Sequence, residues 1–391
     1  MPVLNSLAAL KQEMTEWRRD FHAYPELAFH ERRTSDTIAE KLQSWGIEVH
    51  RGLAGTGVVG VLRAGSGHRS IGLRADMDAL PMEEQTGLGH MSTVPGVMHG
   101  CGHDGHMSML LGAARYLSET KGFDGTVTFI FQPAEEGHGG GRVMVEEGLF
   151  DRFPCDEVYA LHNWPDLPLG TIGVQPGPMM AATATFDLTL TGTGGHAAMP
   201  HLGVDPVVLA AQVISAWQTL VSRSIDPADS AVVSVTRVQS GSAYNVIPET
   251  AVLSGTVRTF DKSVQARIAE GMARIADGLA AAAGARAALD FRNGYPATLN
   301  TPEQAAKAVV TAADIVGPDN VRTSLKPSMG GEDFAYMLEQ RPGAYIWVGQ
   351  GTGPDSVHVH NPHYDFNDEI LPVGASLLAR LVESELKRGN E

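Results

Sequence analysis

Between Met98 and His106 the chain reads Met-His-Gly-Cys-Gly-His-Asp-Gly-His. The ten residues from His99 to Ser108 hold one of the two cysteines, three histidines and an aspartate. Thiolate and imidazole two residues apart on a glycine-flanked turn can converge on one cation, because glycine permits the φ values such a turn needs. A lone Cys or His is more often packed core, but other donors recur downstream. Asp76 and Asp78 follow an apolar run, Glu135 and Glu136 follow another run and a proline, His162 follows a third, and His360 comes late. The aspartates could simply cap a loop, and adjacent glutamates are usually a solvated pair. Adjacent residues in extended chain point in opposite directions, however. One of the two glutamates can therefore hold a metal while the other acts as a base, the division of labour that metal-assisted hydrolysis requires. Cys101, His103, Glu136, His162 and His360 are more donors than one catalytic zinc with an open position uses. Two metals about 3.5–4 Å apart sharing a ligand fit that number better. The mix of thiolate, imidazole and carboxylate suits zinc, cobalt, nickel or manganese.

The elements that must position these groups are readable from periodicity. Residues 5–24 place Leu7, Leu10, Met14, Trp17 and Phe21 at helical spacing, and a second helix runs from Glu31 to Trp45 with Gly46 as its stop. β-type runs at Gly57–Leu62, Ser70–Leu73, Gly125–Phe131 and Glu157–Leu161 surround a helix that begins directly after the cysteine cluster. Near-continuous apolar strands alternating with helices predict an α/β domain with a mostly parallel central sheet covered by helices. Sites on such sheets lie at the carboxyl ends of the strands, where these donors fall. Near residue 182 the pattern changes to period-two alternation. Strand (183–192), helix (205–222), strands (231–239 and 250–259), helix (263–283) and strand (286–292) give the β-α-β-β-α-β order of a ferredoxin-like α+β domain. It is read as an insertion at 182–294, with Pro178 and Pro296 near its two crossings, leaving 1–181 and 295–391 as one discontinuous catalytic domain. A helix at 302–315, a strand at 344–348 and a closing helix at 371–387 complete that domain.

A chain of 391 residues is long enough for two cores. The longest apolar stretch, Pro206–Val221, is broken by Gln212 and Gln218 and reads as a core helix, not a membrane span. The N-terminal helix contains Lys11, Glu13, Arg18 and Arg19, which does not suit a signal peptide. Two cysteines make no disulfide framework and point to a reducing, cytoplasmic setting. A net charge of −16 argues against nucleic acid or an anionic membrane as partner.

Eight stretches carry a resemblance: Leu73–Pro81 (Leu-Arg-Ala-Asp-Met-Asp-Ala-Leu-Pro), Met98–His106, Phe131–Glu136 (Phe-Gln-Pro-Ala-Glu-Glu), Gly194–His201, Asn245–Glu249, Gly255–Arg258, Met329–Phe334 and His360–Pro362. Together they cover almost the whole chain, which resembles the amidohydrolase branch of the M20 metallopeptidases, with its hippurate hydrolases, N-acyl-amino-acid amidohydrolases and plant auxin-conjugate hydrolases. The resemblance implies two divalent metal ions per subunit (Zn, Mn, Co or Ni) on Cys101, His103, Glu136, His162 and His360. It implies Glu135 as general base and Asp78 as a carboxylate beside the site. It also implies His196 reaching a partner subunit's site to stabilise an oxyanion. Asn245 and Arg258 would bind the substrate carboxylate, and Gly330 and Gly331 would line its pocket. The inserted domain would serve as lid and dimerisation domain of a homodimer or higher homo-oligomer.

One departure is informative. The peptidase branches present His-x-Asp where this chain has Asp76-Met77-Asp78, and this chain supplies Cys101 and His103 instead. The expected reaction is therefore hydrolysis of the amide of a small-molecule N-acyl-L-amino acid. The alternatives on the same site are an N-acetyl-diaminopimelate, an aminobenzoyl-glutamate conjugate or a dipeptide. A protein that only binds metal has no need of the extra carboxylate.

Overall fold

The computed structural model describes residues 4–351 and 356–388. They form two compact units. One comprises the described residues up to Met179, Leu299–Lys326 and those from Asp333 onward; the other comprises Met180–Thr298 and Pro327–Glu332.

The first unit opens with helices α1 (Asn5–Ala9), α2 (Lys11–Ala23) and α3 (Arg32–Ser44). Strands β1 (Glu48–Leu53), β2 (Gly57–Ala64) and β3 (Ser70–Asp76) follow, then α4 (His103–Thr120), β4 (Gly125–Gln132), β5 (Glu157–Pro168) and the short β6 (Ile172–Gly173). In the second unit come β7 (Ala182–Thr191), α5 (Pro206–Thr219), β8 (Ala231–Ser240), β9 (Thr250–Thr259), α6 (Lys262–Ala283) and β10 (Arg286–Asn293). The chain returns with α7 (Pro302–Val316), β11 (Val321–Arg322), β12 (Gly343–Gly351) and α8 (Leu371–Glu385).

The first unit's sheet has the order β1-β2-β4-β3-β5-β12-β6-β11. Its centre, β4-β3-β5-β12, is parallel throughout, as the apolar runs predict. β1 and β2 add an antiparallel margin. Every residue of β3 is buried, which is why the run carries no alternation. β5 continues past Leu161, so His162 and Asn163 lie inside the strand, paired with Trp347 and Val348. The N-terminal helix is two helices, parted at Leu10. β1 escapes a reading by periodicity because its side chains neither alternate nor sink into the core.

The second unit is a four-stranded antiparallel sheet in the order β8-β9-β7-β10. With its two helices this is the ferredoxin-like arrangement. β7 buries alternate residues, giving the period-two signal. Asp205 and Asp261 cap α5 and α6 by accepting from the first free N–H groups, and α6 stops at Gly284, which takes φ +71°. Trp217 fills the core edge-on to Phe186 and donates Nε1–H to the Met272 carbonyl at 3.0 Å. Pro327–Glu332 joins this unit and not, as the linear pattern suggests, the first. Ala181 N–H donates to the carbonyls of Ser328 (3.0 Å) and Gly330 (2.9 Å). Among the described residues no helix is long and apolar enough to cross a membrane.

In the first unit α2, α4 and α8 pack together, and a buried charge cluster fixes α2 to the start of α4. His22 Nδ1 lies 2.8 Å from Asp104 Oδ2, and its Nε2 lies 3.3 Å from Glu84. Arg18, also fully buried, donates to Asp365 and Asp368. Burial opposes charge on His22, but the bonds from Asp104 and Glu84 prevail and raise it to about 9. An imidazole raised in this way adds stability below its unfolded value of about 6.5, and that stability is lost as pH climbs through the folded value. The melting temperature should therefore fall between pH 7 and pH 9.5 in wild type and fall less in His22→Asn. Parallel melting curves for the two across that range check the assignment.

Candidate metal centre

Three neighbouring strands end at one place. β3 delivers Asp76 and then Asp78, β4 leads through Pro133 to Glu135 and Glu136, and β5 carries His162. The Cys101 turn enters α4 here through Gly102, whose φ is +94°. A Cβ at Gly102 would sit 2.3 Å from Asn163 Oδ1, so only glycine lets the turn approach β5.

The donor atoms converge. Those of Cys101, His103 and His162 lie within 4.8 Å of one another, and so do those of Cys101, Glu136 and His360. Cys101 belongs to both triads, which is the arrangement a shared ligand requires. Its Sγ is 3.5 Å from His162 Nε2. Glu136 Oε1 is 3.1 Å from His360 Nε2 and 3.9 Å from His103 Nε2. Glu135 also comes within 4.8 Å of His103 and Glu136, so the two glutamates do not diverge as adjacent residues of a strand would. The chain has already left the strand: Ala134 is left-handed, with φ +58°, and a turn follows.

Electrostatics and satisfaction of polar atoms both suit a cation. Among the described residues no well-formed hydrogen bond reaches either ring nitrogen of buried His103 or Oε1 of Glu136, although Asp78 Oδ1 is 3.3 Å from His103 Nδ1 and His360 Nε2 is 3.1 Å from Glu136 Oε1. Buried polar atoms are rarely left so. Burial and the nearby Glu136 and Glu135 carboxylates push the Cys101 thiol well up. Burial works against charge on His103, yet Asp76 and Asp78 raise it to about 10. Burial and the neighbouring His106 drive His162 well down, so that its ring is neutral. His162 Nδ1 donates to the Asn163 carbonyl at 2.7 Å, leaving the Nε2 lone pair directed at Cys101. The five donors thus fit one or two divalent cations of the zinc-like kind.

Around these donors stands a buried network in which the sequence assigned roles to Asp78 and Glu135 but none to Arg74, Gln132, Asp333, His106 or Asn163. Arg74 donates to Asp76 (2.7 Å), Asp333 (2.9 Å) and Gln132 (2.9 Å). Gln132 and the Gly141 N–H also donate to Asp333, and the Asp333 N–H donates to Glu135 Oε1 at 3.3 Å. His106 bridges Asp76 and Asn163 at 2.6 Å each, with its ring 4.5 Å from that of His162. Asp78 accepts the N–H groups of Glu135 and Glu136, both at 2.9 Å. The motifs around these residues were visible in sequence; the pairings are not, because they join positions up to 259 apart.

The remaining candidates lie on the second unit. His196 is exposed and pairs with Val246, and Asn245 accepts the Ala197 N–H. Arg258, half-buried, stands beside Thr183 in the register of β9 and β7, and Gly331 packs on Thr183 as well. Gly330 is bonded to Ala181. β7 runs from that end to Thr191, beyond which His196 lies. Eight residues at about 3.3 Å put Thr183 roughly 26 Å from Thr191, the end of the strand from which the chain leads on to His196.

A comparison with protein families matches "Peptidase family M20/M25/M40" over residues 72–384. The hippurate hydrolase of Campylobacter jejuni is 38% identical over 387 residues, covering 99% of this chain and all of that one. An N-acetylcysteine deacetylase of Bacillus subtilis is 40% identical over 375 residues, 95% of this chain and 97% of that one. A Bacillus subtilis crystal structure described as a dinuclear metal binding peptidase from the M20 family superposes with a TM-score of 0.86 at 36% identity, covering 97% and 99% of the two chains.

Because Cys101 belongs to both triads, Cys101→Ala should lower bound zinc at both positions, whereas His360→Ala should spare the other triad. Metal analysis of the purified variants checks this. Two full equivalents on Cys101→Ala would contradict the shared role.

Proposed function

The chain belongs to peptidase family M20/M25/M40, and on that premise we propose that it hydrolyses the amide bond of small N-acyl-L-amino acids, releasing a carboxylate and a free amino acid. The observation that carries the reading is the second carboxylate. Glu135 reaches the donor cluster, is tethered by the Asp333 N–H, and is not required to complete either cysteine-containing triad. A purely structural metal site has no use for such a group.

Two divalent cations on Cys101, His103, Glu136, His162 and His360 would polarise the amide carbonyl and acidify the attacking water. Glu135 takes a proton from that water and returns it to the leaving amine, which departs as the neutral amino group. His196 is prepared as a donor. Its Nδ1 accepts the Ala198 N–H at 3.0 Å, so the proton of the neutral ring sits on Nε2, available to a developing oxyanion. Zinc, manganese, cobalt or nickel would all suit the donors, and a thiolate ligand suits the reducing cytoplasm.

We take the second unit as lid and dimerisation domain, and the active form as a homodimer. His196 and Asn245 are too far from Arg258, Gly330 and Gly331 to meet one small substrate from a single copy of that unit. Two copies resolve the conflict if His196 is supplied in trans. Exposed Leu202, Val207, Val208, Val238, Tyr244 and Val246 on this unit, and the open edge of β8, suit a partner surface.

Amino acid release should be assayed from N-benzoyl, N-acetyl and longer N-acyl amino acids, with N-acetyl-diaminopimelate, aminobenzoyl-glutamate and dipeptides alongside, each with and without chelator. Chelator-sensitive release from the simple N-acyl substrates is expected; release confined to the others would replace the substrate assignment. Glu135→Gln should keep its metal and lose about 10²–10⁴ in kcat. Glu135→Gln and His196→Ala, each inactive alone, should recover roughly a quarter of wild-type activity when co-expressed, since half the dimers carry one intact site. No recovery would place His196 elsewhere.

A further inference from the structure

We propose that Glu31, at the start of α3 and more than a hundred residues from the glutamates it serves, is a positioning residue that aims both Glu135 and Glu136. The proposal rests on the roles given above to those two residues. Its basis is the run of main-chain N–H groups from Ala134 to Glu136. Three successive amides donate to two buried carboxylates: Ala134 N to Glu31 Oε1 at 3.0 Å, and Glu135 N and Glu136 N to the two oxygens of Asp78. Asp78 holds the reactive pair directly, while Glu31 holds the residue that turns the chain toward the cluster.

That residue needs holding. Ala134 is left-handed, a conformation L-residues adopt at a cost, and its side chain is fully buried. Local strain of this kind persists only where the surroundings over-determine it. On its carbonyl side Ala134 accepts the Gly140 N–H at 2.9 Å; on its amide side Glu31 is the acceptor. Glu31 is itself fully buried, and its other oxygen accepts the Thr56 hydroxyl at 2.6 Å. Burial, and to a lesser extent the Asp78 carboxylate, raises its carboxyl to about 7 against hydrogen bonds from Thr56, its own main-chain amide and Ala134. A group kept at that disadvantage, whose only partners outside its own residue among the described residues are the Thr56 hydroxyl and the Ala134 amide, is placed for the turn. If the clamp is lost, the Ala134 N–H is left buried and unpaired, or the residue relaxes and swings both carboxylates away from the donors.

The test compares Glu31→Ala with Glu31→Gln. Glutamine can accept the Ala134 N–H through its carbonyl and donate its amide to the Thr56 hydroxyl, so it preserves the clamp without the charge. Glu31→Ala should lose about 10–100-fold in kcat and a similar factor in zinc affinity, measured by chelator competition without substrate, as outer-shell losses do. KM should move little, and Glu31→Gln should restore most of both losses. Wild-type kcat and zinc affinity in folded Glu31→Ala would overturn the proposal. So would Glu31→Gln falling as far as Glu31→Ala, since charge and not the clamp would then be at work. If Glu31→Ala does not fold, Glu31→Ala/Ala134→Gly decides, because glycine takes the left-handed conformation freely. Recovery of fold and zinc binding in the double variant is expected; failure of both would make Glu31 a general folding residue. Glu135→Gln measured alongside separates the premises. An active Glu135→Gln defeats the catalytic reading itself, while an inactive Glu135→Gln beside an unimpaired Glu31→Ala defeats only the clamp.

Discussion

Negative charge withdrawn from water is the constraint on which this structure depends. Asp76, Asp78 and Glu135 are buried, and Glu136 nearly so, where β3 and β4 end; burial alone makes such a grouping costly. Fixed positive charge meets part of it: Arg74 takes Asp76 and Asp333, and a protonated His103 would take more. The rest would suit a mobile cation, with the donor atoms of Cys101, His103 and His162, and those of Cys101, Glu136 and His360, each within 4.8 Å of one another. Among the described residues the ring nitrogens of His103 and Oε1 of Glu136 lack a well-formed hydrogen bond, a local cost that a bound cation would offset.

The imidazoles show how that readiness is maintained. His162 donates one nitrogen to the Asn163 carbonyl and keeps the other for the cluster. His106 uses both nitrogens on Asp76 and Asn163, and with them spent it serves as a wall beside His162. His196 has its proton assigned by a single backbone amide. Each ring's role follows from what its second nitrogen touches, a distinction that residue type alone does not make.

Much of this was legible in the sequence, for physical reasons. Parallel strands buried on both faces read as apolar runs, so β3, β4 and β5 and the donors at their ends could be located. The alternation of β7 likewise announced the second unit. The supports were not legible. Glu31 looks like the first residue of an ordinary helix, and nothing local ties it to Ala134. Asp333 and Arg74 sit inside recognisable motifs, but their bond spans the whole second unit in sequence. The approach of Glu135 and Glu136 to a common point depended on one left-handed alanine, which composition cannot foretell. Donors cluster by pattern; their aim is a tertiary property.

The short excursion Pro327–Glu332 changes what kind of object the smaller unit is. A domain inserted into a loop is joined by two strands of chain and can be gained, lost or exchanged as a cassette. Here the chain passes between the units four times, because six residues return to pack against the first strand of the ferredoxin-like fold. Excising 182–294 would strand those six residues, with Gly330 and Gly331 among them, beside Asp333 and its tether to Glu135. The second unit is therefore no free-standing cassette: its last segment runs covalently into Asp333, whose N–H holds Glu135 through a hydrogen bond of 3.3 Å.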